Sequence, residues 1–185
     1  MARLCLVRHG EAASAWDRAP DPGLSAAGAE QARGAAAELA PLAPFDLVSS
    51  PMRRARETVA AFESRFGLDA RIEDRVTEVP SPTGESHQGS DRRAWLDGFL
   101  AGRWSEQAPE ILGWRTELRA ALREITRPTV VVSHFVAVNA LVALASGRDQ
   151  VLCFRPANCS VTVFDAGADG FRLVALGREM ATRIG

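Results

Sequence analysis

Three short segments of the sequence end in polar side chains that could bind and transfer a phosphoryl group. Arg8 and His9 follow an apolar run at residues 4–7, Arg54 lies one helical turn after a Ser-Ser pair, and His134 follows the apolar run at 129–133. Guanidinium groups present a rigid fork of donors that matches phosphate oxygens. A neutral imidazole nitrogen can attack phosphorus and divide one difficult displacement into two easier ones. These residue types therefore predict chemistry on a phosphate ester.

The oxygen that leaves phosphorus needs a proton, and four carboxyl groups are candidates to supply it. They are Glu73, Asp74, Glu78 and Glu85, which lie before or within a loop rich in Pro, Gly and Ser. A carboxyl beside a bound phosphate keeps its proton to higher pH because the two negative charges repel each other. Position in the sequence alone does not choose among the four.

Apolar runs and helix-capping signals predict the elements that would bring these residues together. Strands are expected at 4–7, 45–49, 70–73, 129–133, 151–154, 160–164 and 171–176, and helices at 26–39, 51–66, 90–103, 108–125 and 136–146. Ser25 and Ser50 are expected to cap the first two helices. Because strands and helices alternate, we predict an α/β fold, a three-layer α/β/α sandwich around a mostly parallel sheet. Ligands of such sheets bind beyond the carboxyl ends of the strands, where the arginines and histidines would converge.

Composition excludes several other classes of function. The chain has 185 residues with a net charge of −1, so no global attraction to nucleic acid or to an anionic membrane is expected. All basic residues are arginine, which excludes a P-loop lysine or a Schiff-base lysine. The three cysteines and three histidines lack the spacing of a metal site, so no metal is expected. Without a signal peptide or a run of about 20 apolar residues, the protein is expected to be cytoplasmic.

Four ordered motifs resemble those of the histidine phosphatase superfamily, also called the phosphoglycerate-mutase-like family. They are Arg8-His9-Gly10-Glu11, Leu24-Ser25-x-x-Gly28-x-x-Gln31, Ser50-Pro51-Met52-Arg53-Arg54-x-x-x-Thr58 and Val132-Ser133-His134, the last followed by Pro156-Ala157-Asn158-Cys159-Ser160. Together they span nearly the whole chain. The resemblance implies a phosphoglycerate-mutase-like fold in a single domain over residues 1–185, with a lid-like insertion at about 79–108. It implies no metal and no organic cofactor.

The resemblance also implies a role for individual residues. His9 matches the nucleophile that becomes phosphohistidine. Arg8, Arg54 and His134 match the phosphate pocket and, with His9, the catalytic group. Glu78 occupies the position of the proton donor. The implied function is hydrolysis of a phosphomonoester, either a phosphorylated small molecule or a phosphoprotein, through an intermediate on His9.

The sequence departs from the family pattern around this site. Ala12 and Ala15 stand where the family often has Thr and Asn, and Phe135-Val136 stand where a Gly-Gly pair usually follows the late histidine. The residues after Glu78 also differ, and substrate specificity is set in that region. The family resemblance therefore says less about the identity of the substrate than about any other part of the function.

Three alternatives remain open beside the phosphatase. A cofactor-dependent phosphoglycerate mutase would return the phosphoryl group to a second oxygen of a sugar acid. The mutases of the family carry longer insertions, so this compact chain favours hydrolysis. A protein phosphohistidine phosphatase is also compatible with a short chain. A non-catalytic binder of phosphorylated ligands is disfavoured because Arg8, His9, Arg54 and His134 are all present. The oligomeric state is not predicted.

Overall fold

The computed structural model describes residues 1–14, 21–43, 45–81 and 90–180, with the backbone alone at 90–92. Within these ranges the strands are β1 (Ala2–Arg8), β2 (Asp46–Ser49), β3 (Arg71–Ile72), β4 (Thr129–Ser133), β5 (Val161–Gly167) and β6 (Gly170–Ala175). The helices are α1 (Ala26–Glu38), α2 (Arg53–Phe66), α3 (Ser90–Ala101), α4 (Pro109–Arg123) and α5 (Phe135–Ser146). None of these helices is both long and apolar enough to cross a lipid bilayer.

All six strands form one sheet in the order β3-β2-β4-β1-β5-β6. Strands β3, β2, β4 and β1 are parallel to one another. Strand β5 runs antiparallel to β1, and β6 runs antiparallel to β5. Arg8 pairs with Ser133 at the ends of β1 and β4, and Ser49 pairs with Val132 at the end of β2. The carboxyl ends of three strands therefore meet at one edge of the sheet, as a ligand site of this fold requires. The predicted α/β fold with a mostly parallel sheet is confirmed.

Apolar cores cover both faces of the sheet. Leu4 and Leu6 of β1 belong to the core shared with α3, α4 and α5, while Cys5 and Val7 belong to the core shared with α1 and α2. All four are buried. A strand buried on both faces has no polar alternation, so its sequence is a continuous apolar run.

Helix α2 begins at Arg53 and not at the serine that was predicted to cap it. Met52 is the N-cap residue and contributes no side-chain hydrogen bond. The Ser50 hydroxyl accepts from the backbone N–H of Met52 at 3.3 Å and lies 2.7 Å from His134 Nε2. The Asp21 carboxylate caps the helix instead by accepting from the backbone N–H of Arg53 at 2.9 and 3.0 Å. The prediction for Ser50 was wrong because the cap comes from a distant part of the chain.

Residues 151–154 were predicted as a strand, and this was also wrong: within the described structure they belong to no strand. Val151 and Phe154 are buried, which accounts for the apolar run. The backbone N–H groups of Cys153 and Phe154 donate to Asn139 Oδ1 at 2.8 and 3.1 Å. Asn139 Nδ2 donates to the Phe135 carbonyl at 3.1 Å. A buried amide of α5 thus satisfies backbone donors that a sheet would otherwise pair.

Candidate active site

A cavity of about 460 Å³ lies where β1, β2 and β4 end. Four of the five predicted site residues line it: Arg8, His9, Arg54 and Glu78. The fifth, His134, is fully buried beside them, with its ring centroid 5.2 Å from that of His9. The fold therefore brings all five predicted residues together at the predicted edge of the sheet.

Hydrogen bonds fix the tautomer of His9. Its Nδ1 lies 2.7 Å from the carbonyl oxygen of Gly10, and because a carbonyl can only accept, Nδ1 must carry the proton. Its Nε2 lies 3.1 Å from Arg54 Nε, which can only donate. Nε2 therefore holds a lone pair, and it is the nitrogen able to attack an electrophile.

Burial and neighbouring charge keep both histidines neutral. Burial is the larger cause that lowers the pKa of His9 to about 3, and the charges of Arg54 and Arg8 lower it further. Burial also lowers the pKa of His134 well below its usual value, with His9 and the two arginines contributing in the same direction. The nucleophilic form of His9 is thus the resting form at neutral pH.

Two guanidinium groups make the cavity a site for an anion. Arg54 is 4% exposed, and its Nη1 lies 3.8 Å from a carboxylate oxygen of Asp21. Arg8 Nη1 donates to the Pro156 carbonyl at 2.8 Å, and its guanidinium carbon lies 5.2 Å from the ring centroid of Phe135. Planar guanidinium groups at the base of a cavity match the oxygens of a phosphate.

Glu78 lies at the N-terminus of α5. Its Oε1 accepts from the backbone N–H groups of Val79 and Val136, both at 3.1 Å. Burial raises the pKa of the carboxyl above its ordinary value, and the two N–H groups and the charges of Arg54 and Arg8 offset this only in part. A carboxyl that keeps its proton beside a phosphate site is suited to protonate a leaving oxygen.

The other carboxyl candidates are placed differently. Glu73 accepts hydrogen bonds from Arg71 and Arg75, and the bonds to Arg75 are the main reason that its pKa is lowered to about 2. A carboxylate held ionised in this way has no proton to donate near neutral pH. Asp74 is exposed, and Glu85 lies outside the described residues. Glu78 alone among the three described candidates lines the cavity.

Two glycines allow the loop after β1 to touch helix α1. A Cβ atom on Gly10 would lie 2.5 Å from the carbonyl oxygen of Gly28, and a Cβ atom on Gly28 would collide with the carbonyl oxygen of Glu11. This close approach accounts for glycine at both positions. Gln31 Oε1 then accepts from the backbone N–H of Glu11 at 2.9 Å, while Ser25 Oγ accepts from Gly28 N and caps α1 as predicted.

Thr58 and Asn158 hold the backbone around His9. Thr58 Oγ1 accepts from the backbone N–H of Gly10 at 3.0 Å and donates to the Arg54 carbonyl at 2.7 Å. Asn158 Nδ2 donates to the His9 carbonyl at 3.0 Å. Both residues lie in the motifs quoted above, but Gly10 is 48 positions from Thr58 and His9 is 149 positions from Asn158, so the sequence does not reveal these two contacts.

Cysteine chemistry plays no part in this cavity. Cys5 and Cys159 are buried, and burial raises their pKa values to about 11 and about 12. Neither lines the cavity, so both act as core side chains. Over the part of the chain that the structure describes, no three His, Cys, Asp or Glu side chains form a group that could hold a metal ion.

Comparison with known proteins finds several that are named phosphatases. The glucosyl-3-phosphoglycerate phosphatase of Mycolicibacterium vanbaalenii is 32% identical over 169 residues, which cover 78% of this chain and 74% of that protein. The solved structure of Bacillus stearothermophilus YhfR has a TM-score of 0.81 at 18% identity, over 98% of each chain. Phosphoserine phosphatase from Entamoeba histolytica has a TM-score of 0.75 at 19% identity, over 96% of this chain and 98% of that one.

A mycobacterial glucosyl-3-phosphoglycerate phosphatase complexed with VO3 has a TM-score of 0.73 at 24% identity, over 95% of this chain and 99% of that chain. At these identities the structural likenesses show the fold. The family model supports a statement about the family as well as the fold, because residues 4–179 match the histidine phosphatase superfamily (branch 1). This match includes Arg8, His9, Arg54 and Glu78, which line the cavity. The chain belongs to the histidine phosphatase superfamily, branch 1.

Proposed function

We propose that this protein is a phosphomonoester hydrolase that transfers a phosphoryl group to Nε2 of His9 and then to water. The observation that carries the proposal is the fixed tautomer of His9, whose Nε2 lone pair lies beside the guanidinium of Arg54 in a cavity also lined by Arg8 and Glu78. A neutral nucleophile next to two cations is the arrangement that attack on a phosphate dianion requires.

Binding of the phosphate prepares the nucleophile. The phosphate oxygens accept hydrogen bonds from Arg8 and Arg54, and Arg54 Nε then exchanges its bond to His9 Nε2 for one to the substrate. The freed lone pair forms the Nε2–P bond while the bond from phosphorus to the leaving oxygen breaks. Glu78 gives its proton to that oxygen, so the alcohol departs neutral.

In the second step the phosphohistidine is hydrolysed, and Glu78 acts as a base where it acted as an acid in the first step. Its imidazole ring carries a positive charge with Nδ1 still protonated, and the Gly10 carbonyl at 2.7 Å stabilises that charge by accepting the Nδ1–H. The Glu78 carboxylate takes a proton from water, the water oxygen attacks phosphorus, and the Nε2–P bond breaks. Inorganic phosphate leaves, and His9 and Glu78 regain their starting forms.

The relatives support hydrolysis over the other candidate functions. They are named as phosphatases of glucosyl-3-phosphoglycerate and of phosphoserine, and one is complexed with VO3, an oxyanion of vanadium. We therefore propose a phosphorylated small molecule as substrate. No feature of the cavity specifically favours the mutase, the phosphohistidine phosphatase or the non-catalytic binder.

The first prediction concerns the nucleophile. The purified protein should release phosphate from p-nitrophenyl phosphate without added metal, and a chelator should not slow it. His9→Ala should lower kcat by about a thousandfold or more because, among the residues that the structure describes, His9 is the only histidine that lines the cavity. Arg54→Ala should also lower kcat/KM, because it removes a cation that would bind the phosphate, whereas its matched control Arg56→Ala, exposed on the same helix, should not. Full activity of His9→Ala would contradict the mechanism.

The second prediction separates Glu78 from its rival Glu73. Glu78→Gln should slow an alkyl phosphate by about 10²–10⁴-fold, because an alkoxide cannot leave without a proton. The loss with p-nitrophenyl phosphate should be much smaller, because p-nitrophenolate leaves unprotonated. Glu73→Gln should change neither rate by a comparable factor. An equal loss with both substrates in Glu78→Gln would assign the proton donor elsewhere.

The third prediction concerns pH. For alkyl phosphates kcat/KM should fall as pH rises through the pKa of Glu78, because only the protonated carboxyl can donate. Since burial raises that pKa, the fall should occur above the ordinary range of a glutamate. His9 is already neutral above about pH 3, so its titration should not limit the rate at higher pH. In Glu78→Gln this alkaline fall should disappear, and its persistence would show that another group causes it.

A further inference from the structure

One wall of the cavity is apolar. Val79, Leu96, Leu100 and Phe135 line it together with the phosphate-binding groups. Val79 is buried, and the other three are partly buried side chains packed against the core on the α3–α5 side of the sheet. Each of these three therefore rests on the core while part of its surface faces the cavity.

Helix α3 holds its two leucines firmly in that wall. Leu96 and Leu100 are four residues apart and so lie on one face of the helix. Trp95 and Phe99 form the neighbouring face, where their rings stack with centroids 5.3 Å apart. Phe99 is 4% exposed and packs edge-on against Trp104 at 5.9 Å. The aromatic anchor fixes α3, so a ligand would find the leucine surface already formed.

The apolar wall begins at the phosphate site itself. Phe135 is the first residue of α5 and directly follows His134. Its ring lies 5.2 Å from the guanidinium carbon of Arg8. A group joined through one oxygen to a phosphate held by Arg8 would therefore lie within reach of Phe135.

We infer that the preferred substrate carries an apolar leaving group, aryl or alkyl, which packs between Phe135 and the leucines of α3. The inference rests on the proposed function. A cavity of about 460 Å³ is much larger than a phosphate group, so it has room for a leaving group beside the phosphate. Arg93, Asp97 and Arg155 also line the cavity, but they are exposed and of both signs, so they select less strongly than the partly buried apolar side chains.

The test compares two primary alkyl phosphates that differ in polarity, benzyl phosphate and glycerol 1-phosphate. The wild-type protein should favour benzyl phosphate by about tenfold or more in kcat/KM, the gain expected from burying part of an aromatic ring. Phe135→Ala and Leu96→Ser should each reduce this ratio several-fold. Phe135→Leu should keep most of it, and Leu68→Ser, which does not line the cavity, should leave it unchanged.

A second measurement is independent of turnover. Benzylphosphonate should bind more tightly than 2,3-dihydroxypropylphosphonate in a calorimetric titration, and Phe135→Ala should remove the difference. Equal affinities, or a preference for the dihydroxypropyl compound, would overturn the inference while leaving hydrolysis of p-nitrophenyl phosphate intact. A preference for benzylphosphonate in a protein that hydrolyses no phosphate ester would support the apolar subsite and reject the proposed function.

Discussion

The hydrogen bond from Arg54 Nε to His9 Nε2 is the interaction on which the proposed chemistry of this site depends. It can form because Nδ1 of His9 carries the proton and donates a hydrogen bond to the Gly10 carbonyl, which leaves a lone pair on Nε2. The same guanidinium lowers the pKa of His9 and would bind the incoming phosphate. Burial and this cation together keep His9 neutral, and in the proposed mechanism the same cation leaves the His9 lone pair when a phosphate arrives.

Much of the surrounding structure serves that one geometry. Gly10 and Gly28 bring the loop after β1 against α1, closer than any side chain would allow. Thr58 joins the same loop to α2 through Gly10 and the Arg54 carbonyl, so His9 and Arg54 are fixed relative to each other. The motifs of the superfamily thus include residues that position the reactive groups as well as the groups themselves.

Local signals were enough to predict most of the fold. Apolar runs and caps placed nearly every strand and helix within a few residues of its observed bounds, because these features act between neighbours in the chain. The two errors both involve distant side chains: Asn139 replaces a sheet partner for residues 151–154, and Asp21 replaces Ser50 as the cap of α2. Sequence position alone did not separate Glu78 from Glu73, and only the family resemblance favoured Glu78. The fold supplies a physical difference, because burial raises the pKa of Glu78 whereas hydrogen bonds from Arg75 lower that of Glu73.

The most direct measurement of the central claim is the location of the phosphoryl group during turnover. Rapid mixing with p-nitrophenyl phosphate, an alkaline quench that preserves phosphohistidine, and peptide mass spectrometry would report it. The account predicts a transient phosphoryl group on the peptide that contains His9, bonded to Nε2 and absent from His9→Ala. Turnover with the phosphoryl group on another residue, or with none trapped on the protein while phosphate is released in an initial burst, would contradict it.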